Sequence, residues 1–553
     1  MSSNISELSG RKGLQENLFE QLGLLAKEKG TPSNEQLEKL ASDFLIGKAN
    51  TYGSASFYDF TREENKGKKV YVCSGSACLC AGTQDKVQQT LLQHFAADEI
   101  GEMCCLGRCH ENSAFHCNGI NYSGDAIQHF TELADKAEQD KVQPNDRYHV
   151  QHIGTAMLTQ KALDIDTLYE VLKKVFATSH ENILAEISAS GLRGRGGAGF
   201  PTAFKLTACR KETNETKFVV CNADEGDPGA YSDRYLLEQQ PHLVILGMMI
   251  AAYVIGANWG VLYIRGEYPE AVNICEAEVN KLRAKNLLGN NILASDFSFD
   301  IKIIKAQGAY ICGEETALLS SIEGQRPEVR VRPPYPAQKG LFNKPTIVNN
   351  VETLACLPFI IHQGGAAFAS VGKGKSTGTK LVSLDGHFHK PGMYEVDMGT
   401  PLRAVIDELG GGFKVPIKAM HIGGPLGGLV PVHKIDDLSI DFESFAQQGF
   451  LLGHASVVCI PETFPLIKYL QHLFQFTAHE SCGKCFPCRI GSTRGYEMLH
   501  KAQTSDYKVD RKLLDDLLET MEIGSLCALG GGLPLPIKNA LHYFEDELKE
   551  WIA

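Results

Sequence analysis

Apolar side chains three to four residues apart fall on one face of a helix. Leu14, Leu18, Leu22 and Leu25 keep that spacing, the chain pauses at Thr31-Pro32-Ser33, and Leu37, Leu40, Phe44 and Leu45 resume it. Residues 1–60 therefore read as a small helical bundle. The pattern then changes. Residues 68–72 (KKVYV) begin a strand, 86–95 (KVQQTLLQHF) form an amphipathic helix, 115–122 with its Asn118-Gly119 turn form a hairpin, and 126–135 form a further helix. That order predicts a small α/β domain over 61–140. The polar stretch 136–147 (KAEQDKVQPNDR) reads as a linker, with 141–178 as linker and helix.

From 179 to 370, helical segments alternate with short apolar strands such as 218–221 (FVVC) and 260–264 (GVLYI), the pattern of an α/β layered domain. Over 375–460 short strands (380–384, 393–396 and 457–460) surround one helix at 401–409 with Gly-rich turns between them, a small β-rich module. Residues 461–553 are helical, with Leu513, Leu514, Leu517 and Leu518 on the apolar side. The fold class expected is multidomain α/β. The longest uncharged run, 243–264, is long enough to span a bilayer, but Gly256-Ala257-Asn258-Trp259-Gly260 interrupts it. It reads as a buried helix, a turn and a buried parallel strand, and no direct membrane insertion is expected.

Length and charge sharpen this picture. At 553 residues the chain exceeds one core, and a net charge of −12 disfavours nucleic acid. The N-terminus has no apolar run behind its basic residues, so a cytoplasmic chain is expected. There, 17 cysteines point to metal or redox work, because cytosolic thiols stay reduced.

Cys482-x2-Cys485-x2-Cys488 bunches three thiolates on one short turn, and Cys527 can supply the fourth corner of a cubane cluster. Cys73-x4-Cys78 and Cys105-x3-Cys109 make two pairs that can close around a two-iron cluster, although Cys80 and Cys104 stand close by. If the chain stays extended there, Cys104 and Cys105 point to opposite sides. Structural zinc is the alternative for both sets, and with it a zinc-stapled interaction protein without catalysis.

The loop Gly191-Leu-Arg193-Gly194-Arg195-Gly196-Gly197-Ala-Gly199-Phe200-Pro201 contains Gly-x-Gly-x-x-Gly, but a helix precedes it and proline follows. A Rossmann turn does not fit that context. Its glycines still let amides close on an anion, and Arg193, Arg195 and Lys205 add positive charge, so a phosphate-bearing cofactor is expected. Asn222-Ala-Asp224-Glu225-Gly-Asp227 follows a strand, where open α/β sheets bind ligands. Gly313-Glu314-Glu315-Thr316 and Asn349-Asn350-Val-Glu352-Thr353 can cap helices as well as bind. Gly374-Lys375-Ser376 imitates a P-loop, but Ala369 stands where glycine is required. Arg332-Pro333-Pro334-Tyr335-Pro336 reads as a rigid loop beside the pocket.

In order along the chain, GRGGAGFPT, CNADEGDPGAYSDR, GAYICGEETAL, RPPYPAQKGLF, NNVET and ESCGKCFPCR resemble the 51-kDa-type flavoprotein subunit of NADH dehydrogenase over 180–553. The first 150 residues, with FYDF at 57–60 and the two cysteine pairs, resemble that enzyme's 24-kDa thioredoxin-like two-iron subunit, here fused in front. The resemblance implies a helical and thioredoxin-like N-terminal part, an FMN/NADH-binding α/β domain, a ubiquitin-like β-grasp module and a helical [4Fe-4S] domain. By motif, Gly194, Arg195, Gly196, Gly197, Lys205, Asn222, Asp224, Tyr310, Gly313, Glu314, Asn349, Asn350 and Thr353 surround FMN. Phe200 and Tyr335 line the NAD(H) site with Glu225, Asp227 and Glu315, the candidate catalytic carboxylates. The family spacing selects Cys73, Cys78, Cys105 and Cys109 for a [2Fe-2S] cluster. The sequence departs from the family at Asp227, where glutamate is usual, and at Ala208, where an aromatic can stack on adenine.

The fusion is similar to diaphorase subunits of soluble NAD-dependent formate dehydrogenases and hydrogenases. The implied reaction exchanges a hydride between NAD(H) and FMN and single electrons with the clusters. The implied partners are iron–sulfur and catalytic subunits of a multisubunit redox complex. A fused flavoprotein subunit of a complex I-like NADH dehydrogenase is the alternative.

Overall fold

In the computed structural model of the chain, residues 3–29, 31–131 and 148–553 are described. The linker read at 136–147 and the end of the helix read at 126–135 lie outside them. Four short helices open the chain, Ser3–Ser9, Leu18–Lys29, Asn34–Asp43 and Lys48–Ala55. Ser33 starts the third with a capping box, its hydroxyl accepting from Gln36 N and its own amide donating to the Gln36 side chain. Leu18, Leu22, Leu37, Leu40 and Phe44 pack together. Leu45, expected on that stripe, is 62% exposed, because the helix ends at Asp43 and the backbone turns left-handed at Leu45. Phe19 faces away from the bundle and packs with Tyr58 and Tyr263, so the bundle docks on the central domain.

The next sheet has the order Ile100–Met103, Val70–Cys73, Phe115–Cys117, Ile120–Tyr122. Val70 pairs in parallel with Ile100 and antiparallel with Cys117. Asn118 and Gly119 both take positive φ (51° and 79°), the tight turn that the Asn-Gly pair favours. The parallel strand Ile100–Met103 is an addition to the strand, helix, hairpin order read from the sequence.

The central sheet is all parallel, in the order Asp300–Lys305, Trp259–Ile264, Phe218–Ala223, Thr346–Asn350. The uncharged run splits as its glycines require. Helix Pro241–Ile255 ends at Gly256 (φ 73°), and the buried strand Trp259–Ile264 follows. Among the described residues no helix is long and apolar enough to cross a membrane. The strand Phe218–Ala223 has Trp259–Ile264 on one side and Thr346–Asn350 on the other. A crevice therefore opens beyond its C-terminal end, where such sheets hold ligands.

A six-stranded mixed sheet follows, in the order Gly428–Pro431, Ile417–Ile422, Ser456–Pro461, Thr379–Leu384, Gly392–Asp397, His149–Ile153. Its last strand comes from the segment read as linker and helix. His149 to His152 are exposed at the sheet's edge, so no apolar alternation marks them. The C-terminal helices begin at Leu466–Glu480 and Phe486–Thr504.

Candidate functional site

The crevice beyond the central strands is a cavity whose wall includes Gly196, Asn222, Asp224, Glu225, Asp227, Asp233, Tyr310, Gly313, Glu314, Asn350, His454 and Cys527. Each arrives for a local reason. Asn222 closes the strand Phe218–Ala223, where its side chain accepts from Asp224 N (3.2 Å) and donates to Gly313 O (2.8 Å). The glycine loop runs between helices His180–Ala189 and Thr202–Lys211, and Gly194 N donates to Phe200 O (2.8 Å) to close it. A Cβ on Gly196 would stand 2.9 Å from Asn350 Cβ, so only glycine lets this backbone approach the wall.

Capping and lining coincide at three places. Asn350 accepts from Thr353 N (3.2 Å) at a helix start and donates to Asp233 Oδ2 (2.7 Å). The Glu314 side chain accepts from Thr316 N (2.9 Å) and Ala317 N (2.8 Å). Glu225 accepts from Ser232 Oγ (2.9 Å), Asp233 N (2.9 Å), Arg234 N (3.2 Å) and Tyr268 OH (3.1 Å). The Glu225 carboxylate is thus committed to the start of helix Ser232–Gln239.

The wall is rich in carboxylates. Burial pushes Asp224 well above the usual carboxylate range, against the pull of Arg265, and burial with Glu225 and Glu352 does the same to Asp233. Asp227 moves the other way. Burial opposes its charge, yet His454 at 2.6 Å and a Tyr310 OH donor at 2.6 Å lower its pKa.

The remaining sequence candidates stand around this wall. Lys205 Nζ contacts Glu315 Oε2 (3.1 Å) and Val348 O (2.7 Å), and Arg332 takes the other Glu315 oxygen (3.1 Å). Arg195 is buried; its amide donates to Thr353 Oγ1 (2.8 Å) and its guanidinium to Thr377 O (2.5 Å). Asn349 is buried, while Phe200 and Tyr335 are exposed. Phe204, which no motif marks, is 64% exposed with its ring 5.6 Å from that of Phe200. His454 also escapes sequence reading. It lies in a Gly-rich turn far along the chain from Asp227, and nothing local marks it.

Two cysteine groups flank the cavity. Cys105 and Cys109 sulfurs are 3.3 Å apart, and Cys73 lies within hydrogen-bonding reach of Cys105 and Cys78. Cys80 turns toward Asp385 and Cys459. Cys104 and Cys105 do not diverge. The strand ends at Met103, so extended-chain alternation stops there, and both sulfurs come within 3.5 Å of the position a Cβ on Gly75 would take. Gly229, two residues beyond Asp227, donates its amide to Cys109 Sγ (3.2 Å). On the far side, burial pushes Cys488 up to about 11 and Cys527 up to about 12, with Cys482 nearby adding to both shifts. Gly530 presses on this group, since its Cβ would stand 2.6 Å from Cys488 Cβ.

Residues 187–358 match the Nuo51 FMN-binding domain family, 468–551 the NADH-ubiquinone oxidoreductase-F iron-sulfur binding region, and 5–138 the thioredoxin-like [2Fe-2S] ferredoxin. The mitochondrial NADH dehydrogenase [ubiquinone] flavoprotein 1 of Dictyostelium discoideum is 37% identical over 386 residues, which cover 69% of this chain and 81% of that one. The NADP-reducing hydrogenase subunit HndC of Solidesulfovibrio fructosivorans is 43% identical over 382 residues, 68% of this chain and 78% of that one. A crystal structure of NAD+-reducing [NiFe]-hydrogenase in the air-oxidized state superposes with a TM-score of 0.86 at 29% identity. It covers 98% of this chain and 95% of that one.

Proposed function

The chain belongs to the family of 51-kDa-type flavoprotein subunits of NADH dehydrogenases, and from that premise we propose that it is the diaphorase subunit of an NAD-dependent hydrogenase or formate dehydrogenase. It is an NAD(H)-dependent flavin and iron–sulfur oxidoreductase subunit, with FMN, one [4Fe-4S] and one [2Fe-2S] cluster as its cofactors.

The residues present fit those groups. Asp224 Oδ2 on the wall, and Asn349 Nδ2 with Arg195 Nε and Nη1 behind it, are buried without a protein partner, as atoms awaiting a polar ligand are. Gly196 leaves room where a side chain would intrude. The Cys105 and Cys109 sulfurs stand 3.3 Å apart, and Cys482 lies beside both Cys488 and Cys527, so each group brings several soft sulfur donors together as a cluster requires.

In this reading the glycine loop, Asn222, Asp224 and Asn350 hold FMN, and exposed Phe200 and Tyr335 meet the nicotinamide nucleotide at the rim. Cys73, Cys78, Cys105 and Cys109 hold two irons, and Cys482, Cys485, Cys488 and Cys527 hold four. FMN supplies exchange between two-electron and one-electron carriers. The chain's own residues bind and orient. Asn222 and Asn350 are fixed by their hydrogen bonds, and Glu225 anchors the helix whose Asp233 faces the cavity.

One observation carries the proposal: the wall of a single cavity contains Cys527, and a loop leaving the same wall at Asp227 reaches Cys109 two residues later. Electrons arriving at that cavity have a short way to either cysteine group. The likeness to the hydrogenase spans the two-cysteine-pair module and the rest together, which favours a fused diaphorase over separate complex I-like subunits. No disulfide joins any of the 17 cysteines, in keeping with a cytoplasmic setting.

Purification of the native complex tests this. A co-purifying subunit with nickel and iron, or with molybdenum or tungsten, is the expected result. A quinone-reducing membrane assembly would favour the complex I-like alternative, and stoichiometric zinc in a colourless protein would overturn both.

A further inference from the structure

His454 enters the cavity from the turn before the strand Ser456–Pro461, and its Nε2 lies 2.6 Å from Asp227 Oδ2. The other Asp227 oxygen accepts from Tyr310 OH at 2.6 Å. Tyr310 is itself fixed, with its amide donating to Glu480 Oε2 (2.8 Å) and its ring against Phe476. The imidazole nitrogen stands at ion-pair distance from the carboxylate but off the line of a hydrogen bond. Two domains thus meet at one carboxylate in the cavity wall, and a third holds the tyrosine that donates to it.

We propose that His454 is a positioning residue for electron exchange at this site: it holds a proton that balances Asp227, and loss of that proton adds one negative charge to the cavity wall. The proposal rests on the flavin reading above.

The groups that face His454 pull in both directions. Burial disfavours the charged ring. Asp227, and Glu225 from the same loop, favour it strongly enough to raise its pKa above the usual histidine value. Lys380, on the strand Thr379–Leu384, opposes that charge, but it is itself paired with Glu352. The Ser456 amide points at Nδ1 from 3.3 Å and favours the neutral ring. Arg265 acts on Asp227 in the same sense as His454. Opposing pulls of this kind leave a group that titrates, at a pH above the ordinary histidine value.

The consequence is a charge step on the cavity wall. With the ring protonated, the pair is neutral. Once the proton leaves, the Asp227 carboxylate stands unbalanced on the wall, and adding electrons to a cofactor there becomes harder.

Redox titration of the FMN-loaded protein across pH tests this. The wild-type plot of flavin midpoint potential against pH should bend at a pH above the ordinary histidine value. His454→Gln should lower the potential at pH 7 and remove the bend. His454→Lys, which restores a cation without an imidazole, should recover the pH 7 potential and still lack the bend. Coincident wild-type and His454→Gln plots, or a wild-type plot without a bend, overturn the proposal. Should His454→Gln not hold FMN, the wild-type and His454→Lys plots decide alone. Wild-type protein that retains no FMN would instead overturn the flavin reading, and this proposal with it.

Discussion

The Gly229 amide donates a 3.2 Å hydrogen bond to Cys109 Sγ, joining the loop that leaves the cavity to the two-iron cysteine group. Amide donors to a ligating sulfur stabilise the reduced, more negative cluster and so raise its potential. Gly229 has φ 99°, and a Cβ there would lie 2.6 Å from Val458 Cγ2. Gly229→Ala must therefore shift the loop and weaken the bond. The expected outcome is a lower [2Fe-2S] midpoint potential with the [4Fe-4S] signal unchanged. An unaltered two-iron potential would mean that this contact does not tune the cluster.

Glu225 separates a structural task from a catalytic one. Its carboxylate accepts four hydrogen bonds, three of them from residues 232–234 at a helix start. Glu225→Ala should destabilise the fold by roughly 2 kcal/mol, the scale of a lost helix cap with buried donors left unpaired. Thermal unfolding reads this directly, and an unchanged melting temperature would leave only a role at the nucleotide.

Much of the site is legible in the sequence because its chemistry is local. The Cys-x2-Cys-x2-Cys turn, the glycine loop and the Asn-Asn step before a helix each carry their signal within a few residues. Asn118-Gly119 and Gly256 likewise mark their turns by themselves. What stays hidden depends on distant partners. His454 matters only because a turn of the β-grasp module faces a loop of the central domain. The strand His149–Ile153 is paired along one edge and exposed on its faces, so it has no hydrophobic alternation to read. The motif around Glu225 points to a nucleotide contact, and the task of this carboxylate at the helix start shows only in three dimensions.

Lys205 bridges Glu315 Oε2 and Val348 O near the glycine loop. Lys205→Glu would set two carboxylates and a carbonyl against one another and remove a cation from the expected phosphate site. FMN should bind at least about tenfold more weakly, the scale of one lost charge-assisted hydrogen bond, while both clusters remain. Flavin fluorescence released on dilution, set against iron content, gives the two readings. Full flavin retention would remove Lys205 from the site.

The cysteine assignment admits the sharpest test. The loaded protein should carry about six irons, as four plus two, and one FMN. The charge acting on buried Cys80 comes from Asp385 rather than from a thiol of the two-iron group, so Cys80→Ser should leave the two-iron EPR signal intact. Cys78→Ser and Cys105→Ser should lose or markedly shift it. Cys104 is the demanding case, because its sulfur approaches Gly75 as closely as that of Cys105 does. Cys105 holds the better claim on geometry: its sulfur lies 3.3 Å from Cys109, and Cys109 in turn receives the Gly229 amide. Cys104→Ser should therefore keep the signal. Its loss there, with the Cys105→Ser spectrum unchanged, would exchange the two ligands and leave the other three in place.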